Sequence, residues 1–175
     1  FPLLLDCMTA SFILAESSLK KSPQSLRTET EDIAMSPLKS YTLDMLHKGV
    51  TESFSVTVTE EKMAQFCALS GDISPIHMDA TYAAQRGYPG RVCYGMLIAS
   101  FLSTLAGVYL PGEHCLLHSV ESKFAKPVFI GDVLTVTGVV EEVNEVFREI
   151  TIKAVITNGE GKKVCRAVLK AGLAA

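Results

Sequence analysis

Two ionisable residues of one loop, Asp72 and His77, have the side-chain types and the spacing best suited to acid–base chemistry. They lie five residues apart in the stretch SGDISPIHMD, residues 70–79, where Gly71 and Pro75 interrupt any regular periodicity. A carboxylate and an imidazole that reach the same water can take a proton from it and deliver a proton elsewhere. Pro75 restricts the loop and favours a fixed presentation of both groups. Taken singly, Asp72 also fits a turn and His77 a buried histidine, so the residues alone leave these structural roles open.

Other residues that can carry chemistry give weaker signals. His114 and His118 are four apart and would share one face of a strand, but without a neighbouring carboxylate they do not indicate a metal site. Asp79 is typical of a helix cap. The five cysteines are odd in number, widely spaced and without a CxxC pair, which argues against a disulfide framework and against zinc. We therefore predict no metal site.

The elements that flank the loop follow from hydrophobic periodicity. Residues 51–59, TESFSVTVT, alternate between apolar and polar side chains, which predicts a half-buried strand. Thr59 is a suitable N-cap for a short helix that runs to Leu69. After the loop, Asp79 can cap a second short helix over residues 80–86. The loop is thus expected to connect two helices.

Residues 92–110, VCYGMLIASFLSTLAGVYL, form a longer segment that is apolar almost all round. A helix of this kind is normally enclosed by other structure, and we expect Met96 and Leu97 in the core. Four strand-like segments rich in Val, Ile, Thr and Leu follow, at residues 116–124, 133–143, 147–157 and 164–173. Strands beside segregated helices indicate an α+β class. A sheet that curls around one central helix satisfies the helix's apolar surface, and this architecture is the hot-dog fold.

Length and charge limit the possible domain organisation and the possible partners. The 175 residues suffice for one domain, and a net charge of −3 with scattered Lys and Arg argues against nucleic acid or an anionic membrane as partner. No apolar stretch reaches the roughly 18–20 residues of a membrane helix. Residues 1–15 lack a basic leading region, so we expect a cytoplasmic protein. Residues 1–44 contain a Ser- and Pro-rich stretch and are predicted to be a non-core extension, with the domain at residues 45–175.

Three blocks of sequence resemble the MaoC-like family, which includes the bacterial (R)-specific enoyl-CoA hydratases. Residues 66–79, FCALSGDISPIHMD, resemble the family pattern S-G-D-x-N-P-I-H-x-D. Residues 94–103, YGMLIASFLS, resemble H-G-M-L-x-A-x-x-S at the start of the central helix, and residues 123–132, KFAKPVFIGD, resemble F-x-x-P-V-x-x-G-D. The resemblance covers roughly residues 54–173, with the three motifs in the family's order.

This resemblance implies that Asp72 and His77 are the catalytic pair of a hydratase. The reaction would be (R)-specific hydration of trans-2-enoyl thioesters, or the reverse dehydration of (R)-3-hydroxyacyl thioesters, on CoA or acyl-carrier protein. Gly95 would supply the backbone N–H that stabilises charge on the thioester oxygen, since helix N-termini present free N–H groups. Ser103 matches a family serine that supports the catalytic loop. The resemblance also implies a homodimer, or a larger assembly of dimers, with neither metal nor redox cofactor.

Two positions depart from the family pattern, and two further functions stay open. Ser74 replaces the usual Asn and can still hydrogen-bond near its own backbone. Tyr94 replaces the usual His and would either donate a hydrogen bond near the thioester or line the acyl channel. A hot-dog thioesterase would share the fold and the pantetheine-linked substrate, but would hydrolyse it. A non-catalytic subunit that only binds an acyl group is the other alternative.

Overall fold

The computed structural model of the chain describes residues 38–174. The strands are β1 (Thr51–Thr57), β2 (Cys115–Phe124), β3 (Val133–Asn144), β4 (Glu149–Thr157) and β5 (Lys163–Leu173). The helices are α1 (Glu60–Ser70), α2 (Pro75–Met78), α3 (Ala80–Ala84) and α4 (Gly95–Thr104). A π-helical segment, Leu105–Tyr109, extends α4 directly, and a short 3₁₀ turn, Leu43–Met45, precedes β1.

The five strands form one antiparallel sheet in the order β1-β3-β4-β5-β2. Its inner face is apolar because side chains alternate along each strand. Val140 pairs with Ile152 and Ile152 pairs with Leu169, and all three side chains are fully buried. Together with α4 these residues belong to the hydrophobic core. The predicted α+β hot-dog fold, an antiparallel sheet around a central apolar helix, is confirmed.

Most element boundaries lie within two residues of those predicted from the sequence. The strand predicted to reach residue 59 ends at Thr57, because the backbone of Val58 bonds instead to the turn at Gly131 and Asp132. The helix predicted to end at residue 86 ends at Ala84, with Gln85 as its C-cap. Both shifts occur at element ends, where hydrogen bonding to a turn competes with continuation of the element.

In the described part of the chain, residues 38–174, the central helix is buried on one side only. Leu97, Ile98, Phe101 and Leu102 are buried, whereas the Met96 side chain is 64% exposed. The expectation that Met96 lies in the core is therefore wrong. Met96, Ser100, Ser103 and Gly107 are all exposed and follow at intervals of three or four residues, which places them on one helix face. We call this face the α4 stripe.

Gly138, in the middle of β3, allows the sheet to approach the helical layer closely. A β-carbon at this position would lie 2.7 Å from Leu105 Cδ2 and 3.1 Å from Ile152 Cγ2. Only a glycine avoids this overlap, which explains its presence inside a strand. The contact fixes the distance between the sheet and the end of the central helix.

The residues before β1 are partly tied to the end of the helical segment. Lys39 N–H donates to the Val108 carbonyl (2.9 Å), and Tyr41 N–H donates to the Pro111 carbonyl (3.1 Å). Of the predicted extension, residues 1–37 lie outside the described part of the chain, and its boundary after residue 44 stays a prediction. Within residues 38–174, no helix is long and apolar enough to cross a membrane.

Candidate active site

The loop that carries the candidate acid–base pair starts where α1 ends. Thr59 caps the helix as predicted, its side chain accepting from the Lys62 N–H (3.2 Å). Gly71 follows the helix in a left-handed conformation (φ 72°) and donates its N–H to the Cys67 carbonyl (2.8 Å). This C-terminal glycine reverses the chain, since a residue with a β-carbon rarely adopts that conformation. Asp72 therefore leaves the helix end in a defined direction.

The Asp72 side chain is held through one carboxylate oxygen and leaves the other available. Its Oδ1 accepts from the Ser74 N–H at 3.0 Å. Its Oδ2 lies 4.0 Å from Nε2 of His77. The side chain is 46% exposed, so water reaches it. The structure thus brings the predicted pair together, with one carboxylate oxygen turned toward the imidazole.

The orientation of His77 follows from the helix that bears it and from one main-chain bond. Pro75 begins the short α2 at a position where its missing N–H is not needed. Nδ1 of His77 lies 2.7 Å from the Val92 carbonyl oxygen. Because a carbonyl can only accept, Nδ1 must carry the hydrogen, and in the neutral ring Nε2 is then the unprotonated nitrogen. His77 therefore turns a basic nitrogen toward Asp72.

This arrangement can hold a water between the two side chains. A water oxygen makes hydrogen bonds of about 2.8 Å, and two such bonds easily span the 4.0 Å between Oδ2 and Nε2. With Asp72 as a carboxylate and His77 as a neutral ring, both atoms accept hydrogen bonds. The water would then donate both its hydrogens and keep a lone pair for attack. The His77 side chain is only 16% exposed, which limits competing bulk water on that side.

Gly95 is the first residue of α4, at the amino end of the central helix. Within residues 38–174 no group accepts a hydrogen bond from its N–H, as expected in the first turn of a helix. A β-carbon at Gly95 would lie 3.2 Å from the ring of Phe124, a contact that leaves little space for a side chain. Gly95 therefore offers a backbone donor beside an aromatic ring.

Tyr94 precedes Gly95 and contacts both members of the pair. Its side chain is 1% exposed, and its ring centroid lies 4.2 Å from that of His77. Its hydroxyl lies 3.0 Å from the Asp72 carbonyl oxygen and 3.2 Å from Met78 Sδ. Burial, reinforced by a hydrogen bond with Cys67, raises the pKa of Tyr94 to about 12. The hydroxyl thus stays protonated at neutral pH.

The two predicted serines differ in their relation to the pair. Ser74 contacts Asp72 through its amide, whereas its side chain makes no capping bond to α2. Ser103 is exposed on the α4 stripe, and no hydrogen bond among the described residues connects it to the loop. Ser103 follows Gly95 by eight residues, about 12 Å along a helix. The chain by itself therefore does not bring Ser103 to the pair.

The structure also shows the contacts of the other titratable residues considered in the sequence. Asp79 caps α3, its Oδ1 accepting from the Thr81 N–H (2.7 Å) and the Tyr82 N–H (3.2 Å). His118 contacts Glu149 (2.7 Å), whereas His114 contacts Ser40 (3.2 Å). Among residues 38–174, no group of three or more His, Cys, Asp or Glu side chains is arranged to hold a metal ion.

Sequence reasoning missed the Val92 carbonyl and the Phe124 ring. The carbonyl has no signature in the sequence, because every residue carries one. Phe124 was visible only as part of the third motif. A separate surface cleft of about 420 Å³ has Glu60 and Arg91 among its lining residues, and these two form an ion pair. Neither Asp72 nor His77 lines that cleft, so the hydrogen bonds of the pair define the candidate site.

Comparison with known proteins assigns the chain that carries this site to a family. Residues 44–161, more than half of the chain, match the MaoC like domain. The chain belongs to the MaoC-like family. All three motifs of the sequence analysis lie wholly within the matched segment, and so do Asp72, His77 and Gly95.

MaoC-like relatives of known name are hydratases and dehydratases. The chain is 36% identical over 101 residues to an (R)-specific enoyl-CoA hydratase of Rhodospirillum rubrum, covering 55% of this chain and 70% of that protein. It is 39% identical over 74 residues to an (R)-specific enoyl-CoA hydratase of Aeromonas caviae, covering 42% and 55%. It is 31% identical over 91 residues to a 3-hydroxybutyryl-CoA dehydratase of Methylorubrum extorquens, covering 52% and 58%. Two of these alignments thus span just over half of the relative.

Solved structures of the family support the same fold. The (R)-hydratase from Aeromonas caviae involved in PHA biosynthesis has a TM-score of 0.70 at 30% identity, covering 73% of this chain and 97% of that one. An R-hydratase from Pseudomonas aeruginosa has a TM-score of 0.74 at 27% identity, covering 79% and 89%. The general chemistry of the named relatives is that of lyases that add or remove water.

Proposed function

We propose that this chain catalyses (R)-specific hydration of trans-2-enoyl thioesters, or the reverse dehydration of (R)-3-hydroxyacyl thioesters, with Asp72 and His77 as catalytic residues. The observation that carries the proposal is the 4.0 Å approach of Asp72 Oδ2 to Nε2 of His77, the ring nitrogen that does not bond to the Val92 carbonyl. The match to the MaoC like domain and the names of the relatives support the reaction class.

In the proposed reaction one water is added across one double bond. The water oxygen bonds to C3 while the C2=C3 electron pair moves to C2 and onto the thioester oxygen. His77 Nε2 takes one water proton, Asp72 Oδ2 orients the water through its other hydrogen, and the imidazolium then returns the proton to C2. Hydroxyl at C3 and hydrogen at C2 together account for the water.

The charge that develops on the thioester oxygen needs a fixed donor. The Gly95 N–H at the amino end of α4 is free among the described residues, and the helix dipole there favours negative charge. In other enzymes, removal of one hydrogen-bond donor from an oxyanion hole raises the activation free energy by about 2.7–4 kcal/mol. The substrate carrier would be CoA or acyl-carrier protein, and the proposed steps require neither a metal nor a redox cofactor.

A second copy of the chain is part of the proposal. The α4 stripe leaves Met96 uncovered, and on the edge strand β2 the side chains of Leu116, Val120 and Phe124 are also exposed. Exposed apolar surface and an unpaired strand edge both favour association. A homodimer that covers the stripe would also place a neighbour against Ser103. Light scattering on the purified protein tests this: a monomer at micromolar concentration would contradict it.

The function is tested with crotonyl-CoA and, in parallel, with the saturated butyryl-CoA. We expect the enoyl absorbance to fall without release of thiol, and chiral analysis to give the (R)-3-hydroxy product. A thioesterase would instead release thiol, and would do so from both substrates. Binding without any turnover of enoyl-CoA or of enoyl-carrier-protein thioesters, in either direction, would indicate a non-catalytic acyl-binding subunit.

A further inference from the structure

Tyr94 connects the main chain of one proposed catalytic residue to the ring of the other. Its hydroxyl reaches the Asp72 carbonyl oxygen (3.0 Å), and its ring packs on the His77 imidazole with centroids 4.2 Å apart. Phe66 also packs against the Tyr94 ring, with centroids 5.1 Å apart. One buried side chain thus touches the loop at both positions where chemistry is proposed.

The hydroxyl is suited to hold the Asp72 backbone rather than to contact a substrate. The residue is 1% exposed, and the Asp72 carbonyl is the strongest acceptor near its single hydroxyl hydrogen, the others being the sulfur atoms of Met78 and Cys67. Burial is the main cause that raises the pKa of the Tyr94 hydroxyl to about 12, so the hydroxyl keeps its hydrogen at neutral pH. The Cys67 thiol also approaches the same carbonyl, at 3.5 Å.

The remaining polar groups of Asp72 show what this bond achieves. Its N–H donates to Ser70 Oγ (3.2 Å), and its Oδ1 accepts from the Ser74 N–H (3.0 Å). With the carbonyl bound to Tyr94, every polar group of Asp72 except Oδ2 has a partner. The bonds therefore fix Oδ2 at its distance from His77, and the Tyr94 ring limits rotation of the imidazole.

We propose that Tyr94 is a positioning residue, which sets the separation of Asp72 Oδ2 and His77 Nε2 and does not contact the acyl chain. The inference rests on the proposed function, since it concerns the pair that would bind the water. It differs from both roles that the sequence suggested for Tyr94, because the hydroxyl bonds to the Asp72 main chain and neither to the thioester nor to the acyl chain. A residue that acts in this way affects turnover more than substrate binding.

The test compares Tyr94→Phe with Tyr41→Phe. Tyr41 is a matched control because its hydroxyl also donates one hydrogen bond, to Glu52 Oε1 at 2.8 Å, and that bond lies outside the loop. We expect Tyr94→Phe to lower kcat for crotonyl-CoA by about tenfold with KM changed less than about twofold, because a misplaced catalytic group slows the reaction without weakening binding. Tyr41→Phe should leave both constants unchanged.

Two further measurements separate positioning from a general structural effect. In an Asp72→Asn background, Tyr94→Phe should change the remaining rate less than about twofold, since Tyr94 acts through Asp72. Amide hydrogen exchange at Ser74, whose N–H bonds to Asp72 Oδ1, should accelerate in Tyr94→Phe and not in Tyr41→Phe. This exchange measurement needs no activity, so it tests the inference even if the wild-type protein does not hydrate enoyl thioesters.

An unchanged kcat together with unchanged Ser74 exchange in Tyr94→Phe would overturn the inference. A rise in KM alone, or a changed preference for acyl-chain length, would show that Tyr94 lines the substrate channel instead. Absence of all wild-type activity on enoyl thioesters, with faster Ser74 exchange in the variant, would reject the proposed function and retain the contact.

Discussion

The proposed chemistry is tested most directly by converting Asp72 to asparagine. The new side chain would still accept the Ser74 N–H through its amide oxygen, so the bond of 3.0 Å that holds the side chain is kept. The second oxygen, 4.0 Å from His77 Nε2, would become an NH₂ group that donates. A water between the two side chains could then no longer donate to both of them, and its lone pair would turn away from the substrate.

The size of the effect follows from this geometry. His77 can act as general base only on a correctly oriented water, and general acid–base catalysis contributes about 10²–10⁴ in rate, or about 2.7–5.5 kcal/mol of activation free energy. We therefore expect kcat for crotonyl-CoA hydration to fall by that factor in Asp72→Asn. KM should change little, because in the proposed reaction Asp72 contacts the water and not the carrier. Since the side chain is 46% exposed, the free energy of unfolding should stay within about 1 kcal/mol of wild type.

Asp79→Asn is the matched control for this variant. It changes the same side chain in the same way, further along the same stretch of chain. Asp79 caps α3 through its Oδ1, and asparagine is an equally good N-cap. Its rate and stability should therefore equal those of wild type. The reasoning fails if Asp72→Asn retains more than about a third of the wild-type rate, well outside the expected range, or if both variants lose activity equally.

Three further predictions concern packing and buried ionisable groups. Gly138→Ala should lower the free energy of unfolding by about 1–2 kcal/mol in denaturant titrations, because the overlap with Leu105 costs more than the gain from removing a strand glycine. When Leu105→Val is introduced into the same chain, Gly138→Ala should cost less. A Gly138→Ala variant more stable than wild type would contradict the close approach. Because burial raises the pKa of Tyr94 from 10.0 to about 12, the folded state holds that proton more tightly and stability should fall as pH rises from 10.0 to about 12. Between about pH 9 and about pH 11 this loss is on the order of 1 kcal/mol. Tyr94→Phe should not show this part of the loss, and equal slopes in both proteins would refute it. Burial, with the nearby Asp132 charge, raises the pKa of Cys93 to about 12, so alkylation of Cys93, followed by mass spectrometry, should require unfolding, and rapid labelling in native buffer would count against its burial.

The sheet was predictable from the sequence because its inner face repeats every second residue. The alternation of residues 51–59 and the four later segments reflect burial against one helix, and burial of this kind depends on side-chain type alone. The starts of α1 and α3 were also predictable from side-chain type, since Thr59 and Asp79 each cap a helix with their own side chain. The π-helical segment Leu105–Tyr109 was not predictable, because its altered backbone bonding has no counterpart in the apolar pattern.

The exposure of Met96 shows what an apolar pattern leaves undecided. A helix that is apolar all round must be covered on every side, but the pattern does not say by which chain. Among residues 38–174 the sheet covers Leu97 and Phe101, and the α4 stripe stays open. The error therefore has the same physical origin as the proposed dimer, since both follow from apolar surface that one sheet is too small to enclose.

The candidate site was predictable as far as its side chains and no further. The Ser74 amide and the Val92 carbonyl bind Oδ1 of Asp72 and Nδ1 of His77, and so leave Oδ2 and Nε2 as the atoms proposed to react. Both are main-chain groups, which nearly any residue supplies, and this lets Ser74 replace the family's usual Asn without loss of the bond. Tyr94 differs in kind, because its hydroxyl and its ring are properties of that one side chain. Of the two departures from the family pattern, the one at residue 94 is therefore expected to affect the geometry of the pair, and the one at residue 74 to leave it intact.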